Sequence, residues 1–372
     1  MIENPFLTFG YESPAYFCDR QEETRTLISQ VINGNNVALI SPRRMGKTGL
    51  ICHCYAQSQL NDYYTFLIDI YATKSLQDMV YQMGSSIVKR LKPWGQAALD
   101  RFLQVVTSLR TGISFDGNGN ASWNLEMGDI QSPSFTLDEI FAYLESADRR
   151  CIVAIDEFQA ISGYSEKNVE ALLRTYVQQC RNAVFIFSGS QQSMMSEMFS
   201  SPSRPFYQSV SLMFLKPVAL VQYEQFAYEH FRQRNRHIAD GVVKDIYERF
   251  DGITWYVQKV LNQLFSMTPE SGVVSNENIN TAIFQIVRGN EEAYKDTIFQ
   301  LTAKQRDLLL AVAKMGKVSQ ITGSAFIKGH KLTSASSVQK AAAALIAKGL
   351  LTQQLGVYEV YDKFMGIWLQ NN

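Results

Sequence analysis

Long apolar runs are missing from these 372 residues. None approaches the roughly 20 residues that a membrane-crossing helix needs, so no membrane partner is expected. Cysteine is sparse, with five residues at positions 18, 52, 54, 151 and 180. An odd, scattered set in a long chain argues for reduced thiols and a cytoplasmic location. The opening stretch MIENPFLTFGYESPAYF has no basic segment followed by an apolar one, so no signal peptide is expected. No nuclease, protease or transporter motif occurs. A net charge is lacking too, because 35 Lys/Arg balance 35 Asp/Glu.

What is present is the composition of a globular protein, 46% hydrophobic and 19% charged, at a length that allows two or three domains. The charge balance hides an asymmetry. Residues 301–372 carry nine Lys/Arg against three Asp/Glu, so the first 300 residues carry the opposite excess. A basic end on an acidic body suits either nucleic-acid contact or a solvated lysine-rich surface.

The most informative stretch is NVALISPRRMGKTGL, Asn36 to Leu50. Val37 to Ile40 reads as a buried strand, Ser41-Pro42-Arg43-Arg44-Met45-Gly46 as a turn, and Lys47-Thr48 opens a helix extending over Gly49 to Gln59. Strand, turn, helix N-terminus is the order of a P-loop. The first amides of a helix lack intrahelical partners and, with the dipole, form an anion site. The loop from Ser41 to Gly49 would cradle the phosphates of ATP. Lys47 would reach the β- and γ-phosphates, and the Thr48 hydroxyl would sit on Mg²⁺. Ser41 stands where the pattern GxxxxGK[ST] has its first glycine, so strain of about 1 kcal/mol is expected at that position.

Downstream, Cys151 to Gln159 reads CIVAIDEFQ, an apolar strand ending in Asp156 and Glu157. Alone this is an ordinary acidic strand end. Behind a P-loop it is the Walker B pattern, with Asp156 on Mg²⁺ and Glu157 as general base for the attacking water. Ala183 to Phe187 is another buried strand, followed by Ser188-Gly189-Ser190-Gln191. Ser190 is the choice for a polar sensor of the γ-phosphate, with Ser188 and Gln191 close behind. Val210 to Val218 reads as the last core strand. Arg204, just before it, is either an arginine finger for a neighbouring subunit or a structural surface residue.

The rest supplies context. Glu22 to Asn33 is an expected helix with Asp19 as N-cap. Thr65 to Ile70 is a strand, and Ser75 to Leu91, Phe135 to Ala147 and Val169 to Gln179 have helical spacing. Cys52-His53-Cys54 puts its cysteines on different helix faces and is read as core or surface, not as a metal site. Gly117-Asn118-Gly119 marks a hairpin within 111–127. Segments within 219–300 are helical and are read as a lid, with Arg232, Arg234 and Arg236 as solvated face. Residues 301–372 give three helices and a two-stranded wing, a winged helix-turn-helix. Its third helix, Ser334 to Lys348, offers Ser334, Ser336, Ser337, Gln339 and Lys340 either to a DNA major groove or to a protein surface.

With these pieces the chain resembles the archaeal-type ATPase family of P-loop NTPases, within the STAND branch close to the AAA+ proteins. The resemblance rests on DRQEE before the first strand, PRRMGKT at 42–48, AIDEFQ at 154–159, SGS at 188–190 and the closing YEVYDKFMGIWL. It implies an α/β fold with a parallel P-loop core over 1–218, a helical lid over 219–300 and a C-terminal winged helix over 301–372. It also implies ATP with Mg²⁺ as ligands. The sequence departs from the family at Ser41, at Gly252-Ile253-Thr254 where Gly-x-Pro is common, and at Trp255 near the place of a sensor 2 arginine. The expected function is a nucleotide-driven ATPase switch. The alternative is a DNA-binding regulator or adaptor in which turnover is incidental. A protein client and self-association both remain open.

Overall fold

The computed structural model describes residues 3–115, 121–123, 130–354 and 356–372, with backbone alone at 111–115 and 121–123. In chain order the first elements are α1 (Gln21–Ile32), β1 (Val37–Ile40), α2 (Lys47–Tyr55), β2 (Tyr64–Asp69), α3 (Leu76–Leu91) and α4 (Gln96–Val105). There follow β3 (Ile113–Phe115), β4 (Ala121–Trp123), α5 (Pro133–Ser146), β5 (Cys151–Asp156), α6 (Val169–Gln179), β6 (Ala183–Gly189), α7 (Gln192–Ser200), β7 (Ser211–Phe214) and α8 (Leu220–Arg232).

The core sheet has five strands in the order β2-β5-β6-β1-β7, and every pairing is parallel. Strand β6 therefore lies between the P-loop strand β1 and the acid-tipped strand β5. Parallel strands covered on both faces read as unbroken apolar runs, and β1, β5 and β6 are buried at every position. Alternate residues feed two cores. Ala38, Ile40, Val153, Ile155, Phe185 and Phe187 join one, packed with α3 to α7. Val37, Leu39, Ile152, Ala154, Val184 and Ile186 join the other, with α1 and α2.

Several boundaries differ from expectation. The N-cap of α1 is Arg20, with φ 69° and no side-chain cap bond, and Asp19 is left-handed as well. Arg20 is instead fixed through its guanidinium, which donates to Lys216 O at 2.5 Å and Met45 O at 3.1 Å. Strand β7 covers Ser211–Phe214 and not 210–218. The Lys216 carbonyl is engaged by Arg20, and Pro217 has no N–H to give a ladder. Helix α2 stops at Tyr55, and the chain turns into a short 3₁₀ segment at Ser58–Leu60. Strands β3 and β4 pair antiparallel, Ile113 with Trp123 and Phe115 with Ala121. The turn expected at 117–119 lies outside the described residues.

The remaining elements are β8 (His237–Ile238), α9 (Val242–Arg249), α10 (Thr254–Met267), β9 (Val273–Val274), α11 (Asn276–Gly289), α12 (Glu291–Phe299) and α13 (Ala303–Met315). The chain ends with β10 (Lys317–Val318), α14 (Ser324–Gly329), α15 (Ala335–Ala347), β11 (Leu351–Gln354), β12 (Val357–Val360) and α16 (Lys363–Asn371). The wing hairpin β11-β12 gains a third strand, β10, paired antiparallel with β12. Helix α16 was not expected. Asp362 caps it by accepting from Phe364 N at 2.9 Å and Met365 N at 3.3 Å, and Gln370 ties it to Ala313 O at 2.8 Å. Residues 7–226 with 253–255 form one compact unit. The described residues of 3–6, 227–252 and 256–372 form the other, which holds most of the helical stretch together with the winged helix.

One buried carboxylate stands out in the core unit. Glu139 of α5 accepts hydrogen bonds from the amides and hydroxyls of both Thr107 and Ser108. Burial works to raise its pKa, but the four donors outweigh burial and hold it below the usual glutamate value. A depressed carboxylate stabilises the fold above its unfolded pKa, and that contribution fades as pH falls through the folded one. Glu139→Gln should therefore cost about 1–3 kcal/mol at neutral pH. In denaturant titrations the gap to the native chain should close under acid conditions, and equal midpoints at neutral pH would refute the assignment.

Candidate functional site

The P-loop joins β1 to α2. The N-cap of α2 is Gly46, at φ 90° and with no side-chain cap bond. The first amides of the helix, those of Lys47, Thr48 and Gly49, have no intrahelical acceptor, and no cap side chain competes for them. Glycine is needed at 46 because an L side chain resists that torsion.

The strain anticipated at Ser41 is not there. Ser41 is outside the positive-φ set, which includes Arg44 at φ 67°. The non-glycine residue of the turn that is left-handed is thus Arg44, and it is held on both sides. Its carbonyl accepts from Trp255 N at 3.0 Å, and its guanidinium lies 4.3 Å from the Trp255 ring centroid. Thr254 Oγ1 donates to Met45 O at 3.2 Å. The start of α10 thus braces the turn, with Trp255 stacked on an arginine that the P-loop itself supplies.

Lys47 is 5% exposed. Its Nζ donates to Ser41 O and Pro42 O, each at 3.2 Å, and approaches Ser41 Oγ at 3.4 Å. Burial lowers its pKa, Glu157 and Asp156 pull it back up in part, and Arg43 lowers it further. Thr48 Oγ1 donates to Asp156 Oδ2 at 2.6 Å, so the two residues expected to share a metal ion are already in contact. A third carboxylate, Asp69, ends β2 in register with Asp156. Partial desolvation of this otherwise exposed residue raises its pKa, the Tyr71 amide donating to Oδ1 at 2.9 Å opposes that, and the negative charges of Asp156 and Glu157 add to the rise.

Glu157 follows β5 at φ 57° and ψ 42°, a conformation that costs a non-glycine residue on the order of 1–2 kcal/mol and clusters at functional sites. Its Oε2 accepts from Ser190 Oγ at 2.6 Å and from Gln159 Nε2. Ser190 in turn accepts from Arg43 Nε at 3.3 Å, and Arg43 lies 4.7 Å from the Tyr71 ring centroid. The structure therefore gathers Ser41, Pro42, Arg43, Lys47, Thr48, Asp156, Glu157 and Ser190 around one loop. Gly49 lies within the first turn of α2, where a Cβ would meet Phe17 Cε2 at 3.5 Å.

Arg204 is placed differently. Its guanidinium pairs with Glu170 at 2.6 Å and Glu197 at 3.7 Å, both outside the P-loop. Ser188 is fully buried in β6. Cys54 is buried, and His53 stacks on Phe17 with ring centroids 4.3 Å apart. Among the described residues no group of three or more His, Cys, Asp or Glu side chains is set to hold a metal. Residues missed from the sequence are Asp69, Gln159, Thr254 and the stacking role of Trp255. The first two carried a signal, as the polar end of an apolar strand and as the last residue of AIDEFQ.

The family described as an ATPase domain predominantly from Archaea matches residues 17–260, and a probable winged helix domain matches 292–371. No match is found among curated proteins. Among solved structures, the Walker-type ATPase PABY2304 of Pyrococcus abyssi superposes with a TM-score of 0.65 at 18% identity, covering 98% of this chain and 99% of that one. The ORC2 protein of Aeropyrum pernix, in ADPNP–ADP complexes, gives 0.56 at 14% identity over 99% and 96%. The ORC1 protein of the same organism, in complex with DNA, gives 0.51 at 10% over 99% and 96%. At such identities the likeness shows the fold, a P-loop core followed by a winged helix. The match over most of the sequence shows more: this chain belongs to the ATPase family found predominantly in Archaea and is a P-loop ATPase.

Proposed function

We propose that the chain hydrolyses ATP in a Mg²⁺-dependent reaction and uses the nucleotide state as a conformational switch. The observation that carries this reading is the Thr48–Asp156 contact of 2.6 Å. A hydroxyl and a carboxylate are the hard oxygen donors that Mg²⁺ takes, so the residues fit the ion. When bound, it supplies positive charge to the phosphate oxygens. The amides of Met45 to Gly49 and the Lys47 ammonium hold the phosphates. Glu157 takes a proton from the attacking water, and Ser190 senses the terminal phosphate. The helical stretch acts as a lid. An arginine finger role for Arg204 requires it to leave the Glu170 pair, so it belongs to an assembled state.

The test is turnover with the metal removed. Phosphate release should fall to background in chelator and return on adding Mg²⁺, and hydrolysis undiminished by chelation would overturn the reading. Hydrogen exchange should differ between the ATP and ADP states in α10 if the switch is real.

A second reading, DNA contact through the winged helix, is favoured by the exposure of Ser334, Ser336, Gln339 and Lys340 at the start of α15. The basic excess of 301–372 and the fold shared with an ORC1 protein solved in complex with DNA add to it. Duplex DNA should then stimulate hydrolysis, and its binding should weaken steeply with salt. Absence of both effects leaves the module to a protein client or to self-association. Size-exclusion runs with and without ATP distinguish these last two.

A further inference from the structure

Gln159 lies two residues beyond the proposed base and is buried. Its Nε2 donates to Glu157 Oε2 and comes within 3.5 Å of Ser190 Oγ. A serine hydroxyl has one proton, and that of Ser190 goes to the same Oε2. Two donors from separate strand ends therefore grip one oxygen of Glu157.

The other end of the amide is the informative one. Gln159 Oε1 is buried and has no hydrogen-bond partner. A buried acceptor without a donor weakens a fold relative to an apolar side chain of the same shape. The amide also needs a slot to lie in. A Cβ built on Gly189 would fall 2.5 Å from that Oε1, so the slot exists because residue 189 is glycine. Packing alone would favour an apolar residue here, while the contact with Glu157 needs an amide.

We propose that Gln159 is a positioning residue for hydrolysis. Together with Ser190 it fixes the Glu157 carboxylate through Oε2 and leaves Oε1 to take the proton of the attacking water. The inference rests on Glu157 being the base. Methionine at 159 keeps the length and removes the donor. Steady-state ATP hydrolysis by the full chain carrying Gln159→Met should show kcat lower by roughly 10- to 100-fold, the loss that follows misplacement of a reacting group. The KM for ATP should stay within about twofold. The thermal midpoint should not fall, because the unpartnered acceptor goes with the amide. In the Glu157→Gln background the same change should alter kcat less than about twofold, since it acts through the carboxylate. Gln159→Glu, which keeps the shape but sets a second carboxylate against the first, should be at least as slow as Gln159→Met. A Gln159→Met kcat within twofold of the native value overturns the proposal, as does an undiminished further loss in the Glu157→Gln background. A raised KM with a lowered thermal midpoint overturns it too, by pointing to a purely structural role. If Glu157→Gln alone retains native turnover, the assignment of the base fails first and this inference falls with it.

Discussion

Replacing Lys47 by alanine is expected to cripple ATP binding, with a loss of affinity of at least about 30-fold. In the structure the ammonium is almost fully buried and rests on the carbonyls of Ser41 and Pro42. Those neutral acceptors are weak substitutes for phosphate oxygens, whose negative charge adds Coulomb attraction to the hydrogen bond. Removing the lysine has a second consequence. Asp156 and Glu157 both act on it electrostatically, and without it their negative charges face the incoming phosphates uncompensated. Truncating one partner of a buried charged pair typically costs about 2–5 kcal/mol, which corresponds to roughly 30-fold to several thousand-fold in Kd. The sign of the pH dependence follows from the same burial. Burial lowers the lysine pKa, so affinity should be full where the lysine is protonated and should fall as pH rises through that lowered value. Calorimetric titration of ATP into the native chain and Lys47→Ala settles the point. Binding by the variant within threefold of native would sink the account of the loop.

How much of this could be read from the residues depends on whether the cause was local. The strands of the core were legible because burial on both faces demands unbroken apolar runs. VALI, CIVAID and AVFIFSG are such runs, and in the sheet β6 lies between the strand that leads into the P-loop and the strand that ends in the acids. The winged helix was legible from helix periodicity and the glycine of the wing, and α16 had a local signal in its Asp362 cap that went unused. The failures came from contacts across the chain. A missing glycine at position 41 is visible in the motif and points to strain there. The side-chain-bearing residue that takes a left-handed torsion is Arg44, and what holds it is Trp255, more than two hundred positions away. Asp19 looked like a cap from spacing alone, but Arg20 is drawn by the carbonyls of Met45 and Lys216 into a different turn. That same contact, with Pro217, shortens β7. Gln159 stood in plain view within AIDEFQ, yet its role depends on a serine delivered by the next strand.

Glu157→Gln should separate binding from chemistry. The substitution keeps the size of the side chain and leaves an oxygen to accept from Ser190 and Gln159, so the hydrogen-bonded frame survives. The left-handed backbone at 157 is no harder for glutamine than for glutamate, so the fold should be unaffected. What disappears is the negative oxygen that takes the proton from water, and loss of a positioned general base costs roughly 10²- to 10⁴-fold in rate. Nucleotide affinity should change by no more than a few-fold, because Lys47, the helix amides and the Thr48–Asp156 pair are untouched, and one repelling charge near the phosphates is gone. The variant should therefore accumulate with ATP bound, which single-turnover measurements with labelled nucleotide would detect as retained binding without phosphate release. Turnover within threefold of native would mean that Glu157 is not the base. Asp69, the remaining carboxylate at the neighbouring strand end, would then be the residue to replace next.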